Sequence, residues 1–379
     1  MLYLTHIMRR IIHGTYIHEL SEWPHFQWNQ EKVSAKLIEV RHRQGLLLGR
    51  MSNLGFSLRG EAMLATLTLD VLKSNEIEGE ILNPEQVRSS IARRLGMDVA
   101  GLVPSDRNVE GVVEMMLDAT QHFGSPLSDE RLFSWHAALF PTGRSGMYKI
   151  TAGNWRTGTT PMQVVSGAIG HEKVHFEAPN ARIIPQEMTA FMNWFNGEYG
   201  IDPALKAGIA HLWFVTIHPF DDGNGRIART IADMQLARAD GSPQRFYSMS
   251  AQIRLERNAY YDILERTQKS SLDITNWLMW FLDCLDRALQ ETEHTLGGVL
   301  KKAQFWDTYA TIQISNRQRI ILNKLLDGFE GKLTTVKWAI ITKCSHDSAL
   351  RDIQDLMSKG ILIKEDAGGR STSYVLRED

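Results

Sequence analysis

Apolar residues recur at helical spacing over most of the chain, and the period fails at only a few places. The spacing predicts helices over about 30–50, 58–78, 84–96 and 108–122. It predicts more from about 186 to 296, with breaks near 218–225 and at Gly241-Ser242-Pro243. Ahead of the first helix, the segment from Tyr16 to Trp28 is aromatic-rich and broken by Pro24, which reads as a packing collar. Between about 146 and 182 the texture changes. Gly146, Gly153, Gly158, Gly167 and Gly170 punctuate β-prone pieces, Met162-Gln-Val-Val165 and Lys173-Val-His-Phe176, as in a hairpin inserted in a helical protein. From about 310, helices near 316–326, 335–342 and 347–358 precede Ile361-Leu-Ile-Lys364, a Gly368-Gly369 turn and Tyr374-Val-Leu376. That is the element order of a winged helix-turn-helix. The expected fold is mainly α, with a β-hairpin flap and a C-terminal winged helix. The expected division is an N-terminal helical region (1–105), a core (106–298) and the winged helix (299–379).

Composition narrows the function classes without naming one. The 379 residues are 43% hydrophobic, enough to bury a core without covalent staples. A net charge of −2 excludes a basic coat for nucleic acid or membrane. Cys284 and Cys344 alone cannot build a disulfide framework or a cysteine metal site, and they favour a reducing compartment. No run of about 18 apolar residues occurs, and Arg9 and Arg10 are not followed by an apolar segment. The expectation is a soluble, cytoplasmic protein with no membrane partner.

The chemistry concentrates in His218-Pro-Phe-Asp-Asp-Gly-Asn-Gly-Arg-Ile-Ala-Arg229. Leu205, Ile209, Leu212 and Thr216 mark a buried helix that Pro219 stops. Beyond the loop, Ile227, Ile231 and Met234 fall on one helical face, with Arg226, Arg229 and Asp233 on the opposite one. Gly223-Asn224-Gly225 at the start of this helix aims free N–H groups at an anion, and Arg226 and Arg229 can clamp further phosphate oxygens. A triphosphate needs several such donors. Asp222 can supply the single carboxylate with which Mg²⁺ is held when phosphates provide other ligands. His218 is the candidate base for an attacking hydroxyl.

These residues resemble the Fic domain signature, whose members transfer AMP from ATP to a protein hydroxyl. The resemblance implies a Fic-type helical core in which His218 is the general base and Phe220 pins the loop. Asp222 would coordinate Mg²⁺, Asn224 and the amides of Gly223 and Gly225 would stabilise charge on the α-phosphate, Arg226 would hold the β-phosphate and Arg229 the γ-phosphate. Tyr260-Tyr-Asp-Ile-Leu264 resembles the family helix over adenine, making Tyr261, Leu264 and Gln268 the adenine-pocket candidates. The 146–182 insertion resembles the flap that docks a target segment, with Met162, Gln163 and Val164 registering the acceptor.

A brake is also written in the pattern. Leu67, Val71, Ser74 and Glu78 share one helical stripe, so a carboxylate continues an apolar seam and needs a cation; Arg229 is the plausible partner. Ser74-Asn-Glu-Ile-Glu78-Gly79 resembles the family's inhibitory motif, placed ahead of the core. Tyr16 to Trp28 and Arg88 to Gly96 resemble the N-terminal region of a bacterial Fic subgroup that ends in a winged helix. Arg88, Arg93 and Arg94 read as a solvated helix face in preference to an anion patch.

In the C-terminal part, Leu350, Ile353 and Met357 should face inward and Arg351 and Gln354 outward, with Arg370 near the wing tip. Such a module serves DNA contact or, more often, docking of a protein or a second copy; the oligomeric state stays open between monomer and homodimer. The leading expectation is a protein adenylyltransferase restrained by Glu78, with ATP and Mg²⁺ as cofactors and a protein hydroxyl, including its own, as acceptor. The rivals are removal of AMP at the same site through a water placed by Glu78, an ATP-sensing DNA-binding transcriptional regulator, and transfer from another donor such as a CDP-linked alcohol.

Overall fold

The computed structural model describes residues 16–97, 101–159, 161–166, 173–295, 297–326, 328–329, 331–365 and 372–377. The N-terminal helices are α1 (Gln30–Ser52), α2 (Phe56–Ile77), α3 (Pro84–Arg94), α4 (Arg107–Gln121) and α5 (Asp129–Leu139). Side-chain caps start several of them: Asn29 accepts from Lys32 N–H, Asn83 from Glu85 and Gln86, Asp106 from Val109 and Ser128 from Arg131. Helix α5 is absent from the expectation, although Ser128 signals its start and the buried stripe Leu132, Trp135, His136 and Leu139 has helical spacing.

The β-rich insertion is two separate hairpins rather than one. Strands β1 (Arg144–Ser145) and β2 (Tyr148–Lys149) pair with each other, and β3 (Gln163–Ser166) pairs antiparallel with β4 (Lys173–Glu177), with a register shift between Val164 and Val165. Gly146, in the left-handed region at φ 54°, makes the tight turn between β1 and β2.

Next come α6 (Ile184–Asn196), α7 (Pro203–Ile217), α8 (Asn224–Asp240), α9 (Met249–Leu255), α10 (Arg257–Gln268) and α11 (Thr275–Thr295). Helix α7 is buried from Ala204 to Ile217 and is the axis on which α6 and α8 pack. Its Gly208 lies against the Phe281 ring and its carbonyl accepts from Trp277 Nε1 at 2.8 Å. The aromatic collar packs as expected: Trp23 and Phe26 meet the Trp213 ring edge-on, and Tyr16 meets Phe176 at the base of β4.

Two compact units result, Met1–Asn53 with Arg59–Thr292, and Leu54–Leu58 with Glu293–Asp379. No division falls at the expected residue 105, because α3 packs on α4 and α4 packs on both α5 and α8. The second unit contains α12 (Gly297–Thr308), α13 (Asn316–Leu326), α14 (Thr335–Thr342), α15 (His346–Ser358) and the antiparallel pair β5 (Leu362–Lys364) and β6 (Tyr374–Leu376). Its core is built by Ile321, Leu322, Trp338, Ile353, Leu356 and Tyr374 with their neighbours. The inward stripe of α15 is Ala349, Ile353 and Leu356, so Leu350 sits at its margin instead of its centre. Arg351 and Gln354 are exposed as expected; Arg370 and the Gly368-Gly369 turn lie outside the described residues.

Candidate active site

The loop between α7 and α8 begins with a left-handed residue that is not glycine. His218 has φ 52° and ψ 57°, a conformation that costs a non-glycine residue free energy and must be held by its surroundings. Its N–H donates to the Phe214 carbonyl at 3.0 Å. Buried Arg156 fixes the other side, with Nε donating to the His218 carbonyl at 2.8 Å and its N–H to the Pro219 carbonyl at 2.9 Å. The ring nitrogen Nδ1 lies 3.3 Å from the Val215 carbonyl, so Nδ1 carries the proton and Nε2 is left with its lone pair. Burial, seconded by the Arg156 charge, pushes the imidazole down to about 4 against the pull of the Val215 carbonyl, Asp222 and Glu78.

Phe220 is fully enclosed between the rings of His136, stacked at 4.1 Å, and Trp155 at 4.9 Å. His136 accepts from Gly153 N–H through Nδ1 at 3.0 Å and therefore donates through Nε2 to the Asp222 carbonyl at 3.1 Å. It too is held neutral by burial, at about 4. The Asn224 carboxamide clasps the loop, accepting from Phe220 N–H at 2.9 Å and donating to the Phe220 carbonyl at 2.8 Å. In this state the side chain braces the loop. The Asp222 carboxylate is met by the Ser145 hydroxyl from β1, and Asp221 accepts from Thr151 N–H at 2.8 Å.

Protonating buried His136 or His211, or half-buried His218, works against the fold. His136 and His218 are held near 4 and His211, bonded to Tyr260, near 3. Their ring ¹⁵N resonances should therefore still report neutral imidazole at pH 5.5, where a free imidazole is mostly charged. Titration of the His218 ring near 6.5 would contradict the arrangement.

Arg226 and Arg229 of α8 are each 3% exposed, and both are met by carboxylates from the turn after α2. Arg229 donates from Nε to Ser74 Oγ at 3.0 Å, and from Nη2 to the Ser74 carbonyl at 2.9 Å and to Glu78 Oε1 at 2.8 Å. Ser74, Glu78 and Arg229 thus meet as the sequence implied. The setting differs, however: α2 ends at Ile77, and Glu78 stands in a turn closed by Gly79 at φ 85°, with its side chain 30% exposed. The buried partner is the arginine, whose guanidinium is raised above its usual value, the Glu78 charge overcoming burial. Glu78 Oε1 stands where a Cβ on Gly225 would be, so the carboxylate sits on the mouth of α8 and a side chain at 225 would have to push it aside. Arg226 donates to Glu80 Oε2 at 2.6 Å. Two buried donors, Arg226 Nε and Arg229 Nη1, have no partner.

The adenine-pocket candidates separate. Tyr261 is exposed beside Glu78, its hydroxyl 3.5 Å from Oε2 and its ring under Arg257. Leu264 and Gln268 are buried, and Gln268 donates to Thr216 on α7 at 3.2 Å, so these two serve helix packing in this state. In the flap, Met162 and Val164 pack toward Tyr16 and Phe176, while Gln163 is exposed and bonded to Glu177. Met162 and Val164 are thus half-buried against this cluster. The available element is the backbone edge of β3, which has a strand partner on one side only among the described residues. Sequence reasoning missed His136, Ser145, Arg156 and Glu80. The pair of carboxylates flanking Gly79 was a usable signal for Glu80; the other three arrive through tertiary packing.

Residues 126–236 match the Fic/DOC family, and residues 16–97 match Domain of unknown function (DUF4172). Over 104 residues the chain is 34% identical to Protein adenylyltransferase Fic of Culex quinquefasciatus, covering 27% of this chain and 19% of that one. It is 32% identical over the same length to Protein adenylyltransferase Fic of Drosophila melanogaster, covering 20% of it. The chain thus spans about a fifth of the length of these curated relatives. A Fic family protein from Desulfovibrio desulfuricans G20 shares the fold with TM-score 0.55 and 20% identity, over 93% of this chain and 98% of that one. A Fic domain containing signaling protein from Bacteroides thetaiotaomicron VPI-5482 gives TM-score 0.50 and 20% identity, over 70% and 97%. The braced loop, the left-handed histidine and the paired arginines lie inside the matched segment, and residues 126–236 carry a domain of the Fic/DOC family.

Proposed function

We propose that this protein is an adenylyltransferase that moves AMP from Mg²⁺-ATP to a side-chain hydroxyl of a protein, restrained by Glu78. One observation carries the reading: a neutral histidine with a free Nε2 stands at the mouth of a helix that offers unbonded N–H groups and two buried, unpartnered arginine donors. That donor set fits a polyphosphate. Among the described residues no three His, Cys, Asp or Glu side chains gather as a metal cage. A divalent ion would therefore be held by Asp222 together with phosphate oxygens, after Ser145 yields, and it would neutralise phosphate charge. His218 Nε2 takes the proton of the acceptor hydroxyl as its oxygen bonds to the α-phosphorus, and the bond from that phosphorus to the oxygen bridging to the β-phosphate breaks, releasing pyrophosphate. The open edge of β3 suits an acceptor segment added as a strand.

The test is label retention. The Glu78→Gly protein, offered its own chain and a cell extract as acceptors, should incorporate label from α-labelled ATP, none from γ-labelled ATP, and none after chelation of divalent ions. Incorporation from the γ position, or from neither, would overturn the assignment. One feature favours a second direction for the same chemistry. Arg229 bonds Glu78 Oε1, among the described residues Oε2 is met only by the Tyr261 hydroxyl at 3.5 Å, and the Glu78 charge raises the basicity of His218, a setting in which Oε2 would orient a water that removes AMP. Loss of AMP from a labelled protein on adding wild type would reveal it.

A further inference from the structure

The turn after α2 carries a second carboxylate, and it engages the other arginine. Gly79 in the left-handed region folds the chain back so that the N–H groups of Glu78 and Glu80 both donate to the Asn75 carbonyl at 3.0 Å. Asn75 is fully buried; its Nδ2 donates to the Val71 carbonyl and its Oδ1 lies 3.4 Å from Arg226 Nη1. This brace points Glu78 and Glu80 at Arg229 and Arg226, neighbours on one face of α8. The Arg226 guanidinium also lies over the Phe140 ring at 5.0 Å, and its Nε has no partner, so Glu80 supplies its one close anion among the described residues. The pair is lopsided: the arginine side chain is 3% exposed and the Glu80 side chain 49%. A carboxylate that can swing into water is opposed to a cation that cannot, which is the arrangement of a displaceable anion.

We infer that Glu80 is a second gate, a positioning residue that occupies Arg226 until a nucleotide β-phosphate displaces it, and that acts separately from the hold of Glu78 on Arg229. The inference rests on the reading of this loop as a nucleotide site. It predicts a dependence on phosphate number that a general charge effect would not produce. Glu80 opposes every nucleotide bearing a β-phosphate and leaves a monophosphate untouched.

Equilibrium binding by calorimetry, which needs no turnover, separates the cases. With Mg²⁺-ADP, Glu80→Gln should bind about 2- to 5-fold more tightly than wild type, the upper range of an exposed ion pair converted to affinity. With AMP the two should agree within about twofold. Glu76→Gln removes a neighbouring carboxylate that pairs with Lys73 and Arg254, not with Arg226, and should leave ADP affinity unchanged. A Glu80→Gln thermal midpoint close to wild type would show that the brace survives. Equal ADP affinity in wild type and Glu80→Gln, or equal tightening for AMP, would overturn the gate while leaving the nucleotide site standing. Failure of every variant to bind ADP would remove the nucleotide reading itself and the gate with it.

Discussion

Replacing Glu78 by glycine is expected to raise AMP transfer by about 10- to 100-fold, the largest gain any single change in this molecule should produce. Arg229 is closed off from water, and Glu78 and Ser74 occupy its Nε and Nη2. The same carboxylate covers Gly225, where a phosphate would have to approach the first turn of α8. Removing it opens the cradle and leaves a buried cation whose stabilisation must come from an incoming anion. That transfers interaction energy from the resting state to the nucleotide complex, and a change of about 1.4–2.8 kcal/mol corresponds to the expected gain. Initial rates of label transfer from α-labelled ATP measure it. Equal rates for wild type and Glu78→Gly would remove Glu78 as a brake.

The second large effect has the opposite sign. In the Glu78→Gly background, removing the His218 imidazole should lower transfer by about 10²- to 10⁴-fold, the range of a positioned general base. Nucleotide affinity should change little, because Arg226, Arg229 and the helix mouth remain. Alanine in the left-handed conformation of His218 carries backbone strain, so His218→Gly is the companion variant that keeps the loop relaxed. If both lose transfer and both bind ATP, chemistry was lost and not the fold. With His218 neutral down to about 4, its ascending limb in the pH–rate profile should lie near that value rather than near 6.5. Retained transfer in both variants would exclude His218 as the base.

The parts of this site that were legible in the sequence are those carried by one continuous stretch of chain. His218 to Arg229 is such a stretch, because Pro219 ends α7, Gly223 turns the backbone at φ 80° and the helical period sets Arg226 and Arg229 on one face. The pairing of Ser74 and Glu78 with Arg229 was legible because helical spacing put both on the stripe of Leu67 and Val71. That Glu78 stands in a turn after the helix was not, since Gly79 ends α2 one residue before it. His136 and Arg156 brace the loop from distant positions, and nothing in their own neighbourhoods marks them. Helix α5 was legible and missed: Ser128 and its buried stripe were present, but the segment is short. Gln268 was assigned to adenine from the pattern of α10 alone, whereas Thr216 on α7 supplies its partner. The Asn224 clasp on Phe220 was not legible either, because a polar side chain in a loop bonds first to the backbone that surrounds it.

The central claim is that His218, Arg226 and Arg229 serve one nucleotide. A crystal structure of Glu78→Gly with Mg²⁺ and a non-hydrolysable ATP analogue tests it most directly. The account predicts the triphosphate along the mouth of α8, with Arg226 Nε and Arg229 Nη1 each bonded to phosphate oxygen and His218 Nε2 facing the α-phosphate. A nucleotide seated elsewhere, or phosphates that leave both of those nitrogens unpartnered, would contradict it.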